Sequence, residues 1–141
     1  MTDAPALAVS LDLEPHPEGG WFRQTWASPE IVTLADGRVR PTATLIYFLL
    51  PAGEVSAWHR VASDELWMSH GHGTVTLELG GHGGTPVGDT IRVLGTDLDS
   101  GAEPQVLVPA GVWQRTRPSS ADALVSCLVS PGFDFEDFEL A

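Results

Sequence analysis

His59, Asp64 and Glu65 stand close together in the stretch AWHRVASDELWM, residues 57–68. An imidazole titrates near neutrality and can pass a proton in either direction. A carboxyl group in an apolar cavity has its charged form disfavoured, and a nearby imidazole opposes that by pairing with it. His59 and Glu65 in one dry pocket would suit proton abstraction beside a carbonyl: epimerisation, isomerisation, dehydration or cyclisation. The structural alternative is a buried ion pair joining two strands.

The same side chains also permit a metal reading, with the amide oxygen of Gln114 as third donor. A stable first-row metal site wants three strong donors, and a neutral amide is a weak one. This set therefore requires no cofactor, while leaving open a divalent ion, weakly held and completed by water or substrate. Without a metal, Gln114 could orient a substrate carbonyl or hydroxyl. Trp67 lies two residues from Glu65, on the same face of a regular strand, and could stack on a substrate or fill the core. Arg23, in HPEGGWFRQTW (16–26), could reach the pocket mouth and grip a carboxylate or phosphate, or form a salt bridge near a subunit interface. His70 and His72 in SHGHG sit among turn glycines, where an exposed histidine is ordinary.

Short strands must carry these residues. Strand-like runs cover 42–50, 55–61, 65–70, 74–79, 89–94, 104–109, 112–117 and 123–130, with Gly- and Pro-rich turns between them. Such spacing predicts an all-β sandwich or barrel. In TVTLEL, Val75, Leu77 and Leu79 share one face, as in a half-buried antiparallel strand. The runs TLIYFLL and ALVSCLVS are apolar nearly throughout, which suits strands covered on both faces, one side by a partner subunit. Gly19-Gly20 permits a bend that other residues resist. The segment 29–37 fits either a helical turn or an edge hairpin. Residues 1–10 show little pattern and are expected to be disordered, leaving 11–141 as one domain.

A chain of 141 residues can bury a core without staples. Its one cysteine, Cys127, has no partner within the chain and reads as a core thiol in a reducing compartment. No export signal or membrane-length apolar run is visible, so a cytoplasmic location is expected. The net charge of −12, with every cation an arginine, argues against nucleic acid and membrane as partners.

In order, the chain reads G53-x5-H59-x-V61-x3-E65 and then P109-x-G111-x2-Q114. This resembles the two motifs of the cupin superfamily, with Val61 and Gln114 where a second and third histidine would stand. The stretches 16–26, WHRVASDELW (58–67), VPAGVWQ (108–114) and SPGFDFEDFEL (130–140) are similar to the signatures of the cupin-5 group, in which Val61 and Gln114 are typical. Met68 departs from it, standing where relatives carry histidine. The resemblance implies a double-stranded β-helix, or jelly-roll, cupin barrel of a single domain, homodimeric, with a small-molecule pocket inside. The resulting expectation is an enzyme of isomerase, epimerase, lyase or cyclase type with His59 and Glu65 as acid and base. Gln114, Arg23, Trp67, Met68 and Val61 would contact the substrate. The alternatives are a metal-dependent cupin using His59, Glu65 and Gln114, and a non-catalytic small-molecule-binding cupin.

Overall fold

A computed structural model describes residues 4–141. One short helix, α1 (Ala6–Ser10), precedes the strands. The first five strands are β1 (Glu14–Pro15), β2 (Trp21–Ala27), β3 (Ile31–Thr33), β4 (Val39–Pro41) and β5 (Thr44–Leu50). Next come β6 (His59–Val61), β7 (Asp64–His72), β8 (Val75–Leu79) and β9 (Thr90–Leu94). The last four are β10 (Gln105–Val108), β11 (Gln114–Arg117), β12 (Ala123–Ser130) and β13 (Phe138–Leu140).

Two sheets face each other: β1-β2-β5-β12-β7-β10 and β13-β6-β11-β8-β9, every strand pair antiparallel. This is the expected jelly-roll sandwich. Its core is built from the inward side of each alternating strand, including Phe48, Trp67, Leu77, Val106, Val125 and Cys127. Val75 and Leu77 are buried as their period required, with Leu79 packed partly against the core. Glu78 on the opposite face is also buried, because Arg115 and Arg117 close over its carboxylate. The unresolved choice at 29–37 falls to the hairpin, with β3 pairing β4.

Residues 4–10 differ from the expected disorder, while residues 1–3 lie outside the described residues. Ala8 in α1 is buried with Leu13 and Leu49, and Leu7, Leu11, Trp21, Tyr47 and Leu124 pack around them. The helix thus covers part of the outer face of the six-stranded sheet. Four apolar residues and a serine carry too short a period to announce a helix; the sheet face beneath supplies the reason for one.

Candidate functional site

A cavity opens between the two sheets where β2, β5, β6, β7, β12 and the C-terminal segment meet, with about 30 Å³ inside it open to the centre of a water molecule. Polar groups line one side: His16, Glu18, His59, Glu65, Thr44 and Cys127. Phe22, Ile46, Val61, Val129, Phe133 and Phe138 form the rest.

His59 begins β6, directly opposite Gln114 on β11, and its side chain is 2% exposed. Its Nδ1 lies 2.7 Å from the Ala57 carbonyl oxygen. A carbonyl only accepts, so this contact places the proton on Nδ1 and leaves the Nε2 lone pair facing the cavity. Burial lowers the His59 pKa to about 4, and the Ala57 hydrogen bond only partly opposes that. The imidazole is therefore neutral at pH 7.

The carboxyl group beside His59 belongs to Glu18. Its Oε2 is 3.3 Å from His59 Nε2, while its Oε1 is 3.3 Å from Nδ1 of His16. Glu18 sits in the turn between β1 and β2, which closes through the amide of Gly19 on the His16 carbonyl and the amide of His16 on the Gly20 carbonyl. Gly19 adopts φ +109°, and a Cβ there would collide with the Val55 carbonyl. Only glycine allows the turn to press this close, and the turn aims Glu18 inward. The Ala57 amide then donates to the Glu18 carbonyl at 2.7 Å, locking the turn to the entrance of β6. Burial raises the Glu18 pKa well above the carboxylate range, and the Glu65 charge pushes it further in the same direction. Glu18 Oε2 is buried and, among the described residues, has no aligned hydrogen-bond partner. His16 accepts from the Glu18 amide at Nδ1, and burial followed by repulsion from His59 lowers its pKa to about 4.

Glu65 projects inward from β7, where it lies between Val108 of β10 and Val129 of β12. Its Oε1 accepts a 2.7 Å hydrogen bond from Gln114 Nε2, and Gln114 Oε1 in turn accepts from Trp67 Nε1 at 2.9 Å. Burial raises the Glu65 pKa to about 7, against smaller lowering by hydrogen bonds from Gln114 and the Cys127 thiol. Burial pushes the Cys127 thiol well up, so it stays protonated.

The site expected from sequence is thus partly redrawn. His59, Glu65 and Val61 line the cavity. The carboxyl in contact with His59 is Glu18, and Glu65 is held by Gln114. Gln114 is wholly buried behind Glu65, where its amide fixes that carboxyl and does not reach the cavity. Trp67 shares the Glu65 face as its spacing required, but is 1% exposed and belongs to the core. Met68 and Arg23 are corrected outright. Each is one residue from an inward side chain, Trp67 and Phe22 respectively, so strand alternation turns both outward. Arg23 donates from Nε to the Leu11 carbonyl at 2.8 Å and lies over Tyr47. His16, Glu18, Cys127, Phe133 and Phe138 are among the lining residues that had not been assigned to the cavity.

His59, Glu65 and Gln114 are not assembled as a set of metal ligands. Both ends of the Gln114 amide are occupied, and among the described residues no group of three His, Cys, Asp or Glu is placed to hold an ion. His70 is instead 2.6 Å from Ser126 Oγ on the outer sheet face.

Known proteins share this architecture. Protein SO0799 from Shewanella oneidensis is 38% identical, with a TM-score of 0.85 over 100% of this chain and 85% of its own. A hypothetical protein from Leishmania major is 32% identical, with a TM-score of 0.85 over 95% of this chain and 84% of its own. The uncharacterized protein YML079W of Saccharomyces cerevisiae is 30% identical over 140 residues, covering 86% of this chain and 67% of that protein. Residues 6–141 match the family described as Cupin_5, cupin superfamily (DUF985), and the chain belongs to that family.

Proposed function

We propose that the protein is a small-molecule enzyme of isomerase, epimerase, lyase or cyclase type that moves a proton beside a carbonyl group. One observation carries this reading: Glu18, His59 and Glu65 are buried around one cavity with their pKa values driven in opposite directions. A general base works best when its pKa lies near the working pH, and Glu65 meets that condition. In the proposed reaction the Glu65 carboxylate takes the proton from carbon. Glu18, protonated and beside the His59 Nε2 lone pair, donates to the developing oxyanion. Glu65 then returns its proton to the product carbon and the ionised Glu18 recovers one from the enol hydroxyl, so both acids end as they began. Neutral His59, its tautomer fixed by the Ala57 carbonyl, faces the Glu18 carboxyl through Nε2 and keeps it oriented. Gln114 and Trp67 position Glu65 without touching substrate.

The test is Glu65→Gln, which keeps the hydrogen-bonding shape and removes the base. Purified variant should retain bound substrate, detected by native mass spectrometry, whereas the unaltered protein turns it over. A protein that only binds would carry the same molecule in both forms. That result would reject the enzymatic reading.

A further inference from the structure

We infer that the cavity takes a small cationic ligand, an amine on an apolar body, with the ammonium held by Glu18 and Glu65 and the body against Phe22, Phe133 and Phe138. This rests on the reading of the cavity as a small-molecule site; with a substrate bearing an amino group, the ammonium takes the place of the Glu18 proton in stabilising the developing oxyanion.

Among the described residues the cavity is lined by acids and by no cationic partner for an anion. The chain has no lysine, and none of its seven arginines lines the cavity. Arg38 and Arg40 pair with Asp137, Arg60 with Glu139, and Arg92 with Glu103. Arg115 and Arg117 share Glu78, while Arg23 bonds the Leu11 carbonyl. A carboxylate or phosphate would therefore meet two acidic side chains with no positive charge to offset them. An ammonium would meet two potential counterions, one with an oxygen already buried and unpartnered.

The surroundings of the two acids support the same sign. Glu18 is faced by His16, His59, Glu65 and the Ser56 hydroxyl, and Glu65 by Gln114, Cys127 and Glu18. Both histidines are neutral near pH 7, so nothing in this set competes with an incoming cation. The aromatic wall adds to the attraction, because a ring face is the negative end of its quadrupole. Phe138 stacks on His59 at 5.6 Å, and Phe133 meets Phe138 edge-on at 6.3 Å. Arrival of a cation would also ionise acids that burial holds protonated. Binding must then release protons.

Benzylamine, benzyl alcohol and benzoate share one apolar body and differ in charge, so isothermal titration of all three isolates the sign. In the unaltered protein near neutral pH, benzylamine should bind at least about tenfold more tightly than benzoate. Its apparent heat should change between two buffers of different ionisation enthalpy, reporting proton release. In Glu18→Gln, benzylamine affinity should fall about tenfold while benzyl alcohol affinity holds. Should that variant fail to fold, the buffer comparison on unaltered protein still decides. Benzoate binding as tightly as benzylamine, or amine binding without proton release, would overturn the inference. If benzyl alcohol or benzoate binds and the amine does not, the inference falls while the cavity reading stands. If none of the three binds, both fall together.

Discussion

Glu65 and the two buried histidines place opposite demands on pH. The Glu65 pKa is raised from 4.5 to about 7, so between those values the folded chain keeps a proton that the unfolded chain has lost. Its contribution is full below about pH 4.5 and is lost as pH rises through 7, on the order of 3 kcal/mol in all. His16 and His59, lowered from 6.5 to about 4, act in the other direction. Their contribution is full above about pH 6.5 and is lost as pH falls through 4. Glu65→Gln deletes the first effect and leaves that of the histidines in place. It also removes the Glu65 charge that pushes the Glu18 pKa up, which acts in the same direction as the loss of the first effect. Relative to the unaltered protein, the variant should gain about 3 kcal/mol between pH 5 and pH 8, read from urea unfolding at both. If Glu65 were instead an ionised, paired group, the substitution would grow more damaging with rising pH. Gln114→Leu addresses the support beneath that carboxyl. It strands Trp67 Nε1 and one Glu65 oxygen in the core, with an expected loss of about 2–4 kcal/mol in urea unfolding. It also removes a donor to the charged form, so the Glu65 carboxyl resonance should titrate at still higher pH in carbon-detected NMR.

Elements explain which parts of this site could be read in advance. His59 and Glu65 sit on strands whose alternation sends both inward, so residue type and spacing were enough to find them. The same alternation placed Trp67 on the Glu65 face, but could not say that the core would claim it. Arg23 and Met68 were misplaced because their chemistry was weighed and the parity of their strands was not. Glu18 lies in a turn, where no period applies, and its direction depends on Gly19 pressing against the Val55 carbonyl. The C-terminal segment showed in the sequence as a family signature and not as part of the cavity. Residues 133–140 form a wall: Phe133 and Phe138 line the cavity, while β13 extends the second sheet through Phe138 opposite Val61 and Leu140 opposite His59. Asp137 fastens this wall, its carboxylate accepting from Arg40 Nε at 2.9 Å and lying 3.0 Å from Arg38 Nη1. These guanidinium hydrogen bonds hold the Asp137 pKa below its ordinary value. Asp137→Asn should loosen the wall without disturbing Glu18 or Glu65. Hydrogen exchange at the amides of 138–140 should quicken several-fold while that of β12 stays unchanged. Equal acceleration in both would show that the segment is part of the global core and not a separately fastened wall.

At the scale of the whole molecule, the outer face of the six-stranded sheet carries more apolar surface than α1 covers. The pairing registers align Trp26, Leu45, Leu128, Leu66 and Leu107 across five neighbouring strands. Trp26 is 47% and Leu107 49% exposed, and the three leucines between them are half-buried. Isolated exposed leucines need no explanation, but a row continuous across a sheet marks an interaction surface. A second copy of the chain suits it, because a two-fold axis lets one apolar stripe cover its own counterpart. Such a pairing would also meet the sequence expectation of strands covered on both faces. Each protomer carries a net charge of −12, so long-range repulsion opposes the association that the apolar face favours. Screening by salt weakens the repulsion and leaves apolar burial intact. Sedimentation should therefore show a homodimer whose dissociation constant falls as ionic strength rises. Leu66→Glu combined with Leu107→Glu should yield a folded monomer, since both side chains point away from the core and the cavity. A dimer that persists in the double variant would place the contact elsewhere, and one that weakens with added salt would show that charge pairing, not this stripe, holds the subunits together.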